Sequence, residues 1–348
     1  MGVSGALPGG IAQVLNQYLS WSFHSLEVRA VASTTGRGDR WMALRSARCL
    51  AVILAARLSR RPHAFVLHLS SGGSFVREGG LAAAARLGGF PVAVQLHGSD
   101  FAEFAAGWPA TVRRMLRIPH RVYVLTDETE EIVRAALAPD RADRVVKVAN
   151  GVAMPGSLGT KEPLVVFAGE VGTRKGADVL LRAWSAVRTR HPQWRLVLAG
   201  PVTDLPEALS DAADPSVSLL GAVPRDEVGE WQARAAIAVL PSRYEALPMS
   251  LLESMAQGCA VVATPVGDVE DLVEGCGVVV PVGDADALAA ALDRLAGDPA
   301  AVARFGAAAR DRIRVRFSAA AVGALLEREW TDLLALGRRA ARPGREPS

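Results

Sequence analysis

Two glutamates eight residues apart, Glu245 and Glu253, bracket a turn that feeds a short apolar helix. They lie in the stretch PSRYEALPMSLLESMAQGCAVVATPVGDVE, from Pro241 to Glu270. Pro248 suits the first helical turn, where its missing N–H would have no partner in any case. Leu251, Leu252, Met255 and Ala256 then recur on one helical face. Gly258 ends the helix, and Cys259 to Ala263 reads as a buried strand. Glu245 therefore belongs to a loop mouth and Glu253 to the helix. The backbone N–H groups among residues 246 to 250, which include Leu247, Met249 and Ser250, project from the helix N-terminus, a natural seat for a phosphate. Two carboxylates beside such a helix end suit a sugar nucleotide. One can accept hydrogen bonds from sugar hydroxyls and the other from a ribose diol.

The stretch resembles the donor-binding signature of the retaining glycosyltransferases of family 4, whose fold is GT-B. The shared frame is Pro-Ser…Glu-x-x-Pro…Leu-Glu-x-Met-Ala-x-Gly. It falls here on Pro241, Ser242, Glu245, Pro248, Leu252, Glu253, Met255, Ala256 and Gly258. The resemblance implies that Glu245 holds the transferred sugar, Glu253 the ribose, and residues 247–250 (Leu247, Pro248, Met249, Ser250) the donor phosphate. A second segment, Phe167-Ala-Gly-Glu-Val-Gly-Thr-Arg-Lys-Gly176, follows a strand and opens a helix. It is similar to the family's Gly-Arg…Lys-Gly loop, with Gly169 and Lys175 in register. The implied role of Lys175 is to stabilise charge on a departing diphosphate. Glu170 stands where the family has arginine, and the neighbouring Arg174 is the candidate replacement cation.

Further loops follow strands. Gln95-Leu-His-Gly-Ser-Asp-Phe101 matches the family's His-Gly-x-Asp, which would put His97 beside the transferred sugar and Asp100 near the acceptor hydroxyl. Arg77, in Ser71-Gly-Gly-Ser-Phe-Val-Arg77, would either bind an acceptor phosphate or cap the cleft. Gly9 and Gly10 precede a helix and would let backbone approach the donor phosphate or the acceptor, although a simple turn explains them equally well. Asn150-Gly151-Val152 reads as a turn. Val266-Gly267-Asp268-Val269-Glu270 resembles the family's Gly-Gly-x-x-Glu segment, which packs tightly near the diphosphate.

These residues need a scaffold that presents strand ends to one side. Apolar runs alternate with amphipathic helices along the whole chain. Strands are expected at residues 64–69, 91–96, 122–126, 145–148, 164–168, 195–199, 217–220, 237–240, 260–263 and 278–280. Helices are expected at 10–19, 40–58, 78–87, 128–137, 177–190, 225–233 and 285–295. Such alternation argues for α/β structure with parallel sheets covered on both faces. With the resemblance, the expected fold class is GT-B, two Rossmann-like doubly wound domains facing a cleft. The Gly- and Pro-rich stretch Asn150–Pro163 is the interdomain linker. The expected division is 1–155 as an acceptor-binding domain and 156–317 as the nucleotide-sugar donor domain. Residues 318–338 form a helix crossing back to the first domain, and 339–348 a loose tail. The Gly-rich turn begins at Gly5, which leaves only Gly2, Val3 and Ser4 for the family's first strand. Either that strand is vestigial and missing from the sheet, or the chain start is incomplete.

Composition narrows the function. Half of the 348 residues are apolar, so a folded two-domain chain is expected. No apolar run is long enough to span a bilayer and no secretory signal stands at the start, which favours the cytoplasm. Three cysteines, Cys49, Cys259 and Cys276, and six scattered histidines lack metal-ligand spacing. Residues 1–155 hold 18 Lys/Arg against 11 Asp/Glu, and the remainder the reverse balance, 21 against 25. Arg113, Arg114, Arg117 and Arg121, close to Trp108, Met115, Leu116 and Ile118, fit either an ordinary amphipathic helix or peripheral contact with an anionic membrane at its inner face. A dinucleotide-binding Gly-x-Gly-x-x-Gly, a Gly-x4-Gly-Lys-Ser/Thr loop and a strand-end Asp-x-Asp are all missing.

The resulting expectation is a hexosyltransferase that moves a sugar from a nucleotide diphosphate sugar to a saccharide or lipid-linked hydroxyl with retention, in cell-envelope polysaccharide synthesis. It would use neither metal nor cofactor and no nucleic-acid partner. The alternatives are a GT-B phosphorylase, a nucleotide-sugar epimerase or hydrolase, and a non-catalytic sugar-nucleotide-binding protein.

Overall fold

The structure, a computed structural model, describes residues 10–34, 39–98, 100–204 and 214–340. Backbone contacts divide the chain into two units, one running to Gly151 and resuming at Val322, the other spanning Val152–Ala321.

The first unit opens with helices α1 (Gly10–Ser20) and α2 (Met42–Ala56). Strand β1 (Phe65–Leu69), helix α3 (Gly73–Leu87), strand β2 (Val92–Leu96), helices α4 (Phe101–Gly107) and α5 (Pro109–Leu116), strand β3 (Arg121–Val124), helix α6 (Asp127–Ala136) and strand β4 (Val145–Lys147) follow. The strands form one parallel sheet in the order β1-β2-β3-β4, with Val94 opposite Val122 and Val122 opposite Val145. Every residue of β2 is buried, as a parallel strand covered on both faces requires. Phe75, Val92, Val122 and Val133 are fully enclosed at its core. Helix α6 starts sharply because the Thr126 side chain accepts from the Thr129 N–H, and Asp127, Glu128 and Glu130 complement the positive end of the helix.

The second unit carries β5 (Glu162–Ala168), α7 (Ala177–Arg190), β6 (Arg195–Ala199), β7 (Val217–Gly221), α8 (Arg225–Arg234), β8 (Ala235–Leu240), α9 (Met249–Ala256) and β9 (Ala260–Ala263). Helix α10 (Val269–Val273), strand β10 (Gly277–Val279) and helices α11 (Ala285–Ala296) and α12 (Pro299–Arg312) complete it. A π-helical turn, Ile313–Phe317, leads into α13 (Ala319–Ala340). The six strands are all parallel, in the order β10-β9-β8-β5-β6-β7. The chain thus winds outward from β5 through β6 to β7, then returns to the other side of β5 as β8. Between β5 and β8 the winding direction reverses, and in open parallel sheets that switch point leaves a crevice at the carboxyl ends of the two strands. The core beneath is built on Phe167, Leu180, Trp184, Leu196 and Ile237.

All ten expected strands are present, with ends displaced by at most two residues. Helix α3 begins at Gly73 rather than Glu78, because Gly72 at φ 69° makes the turn and the helix starts directly after it. Helices α4, α5, α10 and α12 were outside the expected set. Asn150-Gly151 makes no turn. Gly151 instead gives room to Trp21, whose ring would lie 2.6 Å from a Cβ there. Gly9, Ser99 and the Gly5–Gly9 turn lie outside the described residues, and Gly10 opens α1.

Candidate active site

The loops that leave β5 and β8 carry the two residues the sequence singled out most strongly. Lys175 and Glu245 are 70 residues apart and form an ion pair, with side chains only 14% and 10% exposed. Ser242 donates to the same Glu245 oxygen at 3.0 Å. A cation and a carboxylate therefore meet at the switch point of the sheet, held by the two strands that flank it.

Backbone geometry sets this meeting. Gly176 adopts φ 73°, and a Cβ there would stand 1.9 Å from the Pro241 carbonyl oxygen, so only glycine lets the β5 loop lie against the β8 loop. Arg243 locks the same two loops. Its N–H donates to the Arg174 carbonyl at 2.9 Å, and its guanidinium donates to the Thr173 carbonyl. It also grips Asp178 with two hydrogen bonds of 2.8 and 3.0 Å. Burial alone would push the Asp178 carboxyl up, but the hydrogen bonds and charge of Arg243, with help from Arg182, outweigh it and hold it below the usual aspartate range. The Val266-Gly267-Asp268 segment closes the third side. A Cβ on Gly267 would come within 2.5 Å of the Glu245 carbonyl oxygen, and the Asp268 N–H donates to the Ala246 carbonyl at 3.2 Å.

The other residues expected to bind the donor sort into separate contacts. Glu253, on α9, is ion-paired with Arg225 at the start of α8. Arg174 faces Glu170 at 3.6 Å, and Glu170 also accepts from Thr203 at 3.2 Å. The arginine named as the replacement cation is thus engaged by the residue that stands in the usual arginine's place. Gly169, at φ 147°, donates to the Ala199 carbonyl at 2.9 Å. Helix α9 starts at Met249, one residue after Pro248, which sits at the N-cap. Leu247 and Pro248 are buried, and Met249 and Ser250 half-buried. The Ser250 carbonyl accepts from Gln232 at 3.1 Å and from Ser254 at 2.9 Å.

In the first unit, His97 follows β2 and is buried. Its Nε2 lies 2.9 Å from Nδ1 of His68 on β1, with the rings stacked at 5.1 Å. Burial pushes the His68 imidazole down to about 4. Burial, and then the neighbouring His68, push His97 well below its usual range. The two rings are therefore neutral at pH 7, sharing one proton bridge. Asp100 accepts from Ser71, which ties the loops after β1 and β2 together. Arg77 donates to Glu78 at 2.8 Å and contacts the Met42 sulfur at 3.3 Å. Glu78 is itself buried and also accepts from Ser74 at 2.9 Å.

The neutral pair has a consequence for stability. The folded-state pKa values lie below the unfolded value of about 6.5, so the unfolded chain binds protons that the fold does not. Stability is then complete above that value and falls as pH drops towards 4, by up to about 1.4 kcal/mol per pH unit for each histidine. Melting temperatures measured from neutral to acid pH are expected to show this slope, and His68→Gln to flatten it. A parent protein and variant with identical pH profiles would refute the assignment.

Residues 162–298 match the family described as Glycosyl transferases group 1. A lipopolysaccharide core biosynthesis mannosyltransferase, LpcC of Rhizobium leguminosarum bv. viciae, is 32% identical over 191 residues, covering 51% of this chain and 53% of that protein. The chain thus spans about half the length of that curated relative. The solved sucrose-phosphate synthase of Thermosynechococcus elongatus superposes with a TM-score of 0.69 at 21% identity, covering 89% of this chain and 83% of that one. The fold is GT-B. HepE of Anabaena, solved with UDP and glucose, has the same fold, with a TM-score of 0.66 at 17% identity over 84% of this chain and 83% of its own. The family match contains Lys175, Arg225, Arg243, Glu245 and Glu253.

Sequence reading did not single out His68, Asp178, Arg225 or Arg243. Arg243 stood in plain view beside Ser242, but nothing in its spacing pointed across 65 residues to Asp178. His68 had a usable signal. It lies in a strand in register with Gln95, so it shares a sheet face with His97 two residues on.

Proposed function

We propose that this chain is a glycosyltransferase that moves a hexose from a nucleotide diphosphate sugar to an acceptor hydroxyl with retention of configuration. The observation that carries the reading is the Lys175–Glu245 pair at the switch point of a sheet that matches the group 1 glycosyl transferases. A donor diphosphate would compete with Glu245 for the Lys175 ammonium, and Glu245 would turn to the sugar hydroxyls. Lys175 then stabilises the charge that grows on the diphosphate as the glycosidic bond breaks. Arg174 adds a second cation if it exchanges Glu170 for phosphate. Glu253 accepts from the ribose diol after leaving Arg225. His97, kept neutral, offers a hydrogen bond to the sugar, while Asp100 and Arg77 serve the acceptor. The carboxylates act by holding hydroxyls, the acceptor entering on the leaving-group side without an enzyme nucleophile, metal ion or cofactor.

The acceptor is a saccharide or lipid-linked saccharide, consistent with a relative named for lipopolysaccharide core synthesis. The reading places the work at the inner face of the cytoplasmic membrane, with peripheral contact to anionic lipid and no nucleic-acid partner. No helix among the described residues is long and apolar enough to cross a membrane. The UDP and glucose bound by HepE make UDP the first nucleotide to try.

Thermal melting against UDP, GDP, ADP and TDP and their sugar conjugates tests the donor site. One nucleotide family is expected to raise the melting temperature, since a ligand that binds only the folded state stabilises it. Glu253→Ala is expected to abolish that shift while leaving the melting temperature without ligand close to the parent's. No shift from any nucleotide with well-folded protein would remove the reading. Product formation only with phosphate or water as second substrate would replace it by a phosphorylase or hydrolase.

A further inference from the structure

Helix α2 turns only Cys49, Ile53 and Ala56 inward. On its opposite side lie Leu44, Ala47, Ala51 and Leu54, with Leu58 just past its end, and all five are exposed. Leu44, Leu54 and Leu58 are 64%, 67% and 89% accessible. The spacing alternates three and four residues, which stacks these side chains into one straight stripe along the helix. Trp41, 55% exposed, stands at its start. Every charged residue between 40 and 61 is an arginine: Arg40, Arg45, Arg48, Arg57, Arg60 and Arg61. Carboxylates from outside the segment reach Arg45 (Asp39, 3.2 Å) and Arg61 (Glu27, 3.5 Å).

We propose that this face of α2 docks on an anionic lipid bilayer, lying in the plane of the interface with the leucine stripe among the acyl chains and the arginines at the headgroups. Charge complementarity selects this occupant. A second copy of the chain would bring arginine-flanked stripe against arginine-flanked stripe, with no carboxylate on α2 to meet them. The helix lies on the membrane and does not span it: at 15 residues it is about 22 Å long, and its inward side is committed to the core of the first unit. Arginine stems cover apolar surface while their heads stay in the headgroup layer. The cluster at α5 that the sequence suggested is less suited, because Val112 and Leu116 turn inward there and Trp108 is the exposed apolar residue. This names the surface for the membrane contact proposed above. It is read by lipid binding without any transfer assay, so its failure leaves the donor-site reading intact.

The test is flotation of the full chain with phosphatidylglycerol vesicles and with phosphatidylcholine vesicles. The protein is expected to float with the first, to float less as salt rises, and to stay behind with the second. Leu44→Asp with Leu54→Asp is expected to weaken partition at least about tenfold. Arg57→Gln and Arg60→Gln should each weaken it about fivefold. Leu58→Asp, beyond the helix end, supplies a variant with no folding role. Failure to float with phosphatidylglycerol overturns the proposal, as does flotation that the aspartate variants leave unchanged. A concentration-dependent dimer dispersed by Leu58→Asp without lipid would overturn it in favour of self-association.

Discussion

Lys175→Ala is expected to lower turnover at saturating donor by about a hundred- to a thousandfold, the cost of removing one preorganised charge from a developing anion. The size of the effect follows from the site's seclusion. The Lys175 side chain is 14% exposed, so solvent screens its ammonium little, and the ion pair with Glu245 fixes its position. The variant also leaves Glu245 held by the Ser242 hydroxyl, so sugar positioning should loosen together with leaving-group stabilisation. Lys175→Arg is not a rescue, because a planar guanidinium cannot reproduce the compact ammonium in that space. Initial rates, measured beside a melting curve to exclude unfolding, decide the matter. A parental rate would take Lys175 out of the mechanism.

The second large effect is on the fold. Arg243→Leu is expected to cost about 3 kcal/mol, the low end for breaking a buried ion pair from one side. The low end applies because the Arg243 side chain is 30% exposed and Arg182 still reaches Asp178 at 3.1 Å. The guanidinium tie to the Thr173 carbonyl between the β5 and β8 loops is lost with it, so donor affinity should fall in the same variant. Since the Asp178 carboxyl is held below its ordinary range, its contribution is present at neutral pH and lost only as pH falls through that lowered value. Near neutrality a melting point several degrees lower is expected. The double variant with Asp178→Asn should recover part of the loss, because the orphaned carboxylate is then gone. A melting point equal to the parent's would show that Arg243 is not a structural tie.

Much of the scaffold was legible in the sequence for a simple reason. Strands such as VAVQL at 92–96 and AVVA at 260–263 are buried on both faces, so they read as unbroken apolar runs between loops. Helices α4 and α5 are only seven and eight residues long, too short for a periodic pattern to emerge. Helix α12 carries a start signal that the expected set passed over, Asp298-Pro299, a capping residue followed by proline at the first helical position. The site was legible in part. Lys175 and Glu245 could be named from their frames, but their ion pair depends on β8 returning beside β5, and strand order is not written in any local pattern. The partners of Glu253, Arg174 and His97 were hidden for the same reason. Each comes from a distant element or, as with Glu170, from the irregular loop between β5 and the 3₁₀ turn at Thr173–Lys175.

The close backbone contacts at Gly176, Gly200 and Gly267 carry a consequence for how such a site can diverge. A Cβ on Gly200 would stand 1.8 Å from the Gly169 carbonyl oxygen, as one on Gly176 would stand 1.9 Å from that of Pro241. The main chain itself forms the mould, so drift at these positions is closed to any residue with a side chain. New donor preferences must instead be reached by exchanging the exposed charges around the mould, Glu170, Arg174 and Arg225, which are paired with one another or with Glu253. Such charges change in compensating pairs, and Glu170 with Arg174, four residues on and 3.6 Å away, is one pair placed to do so.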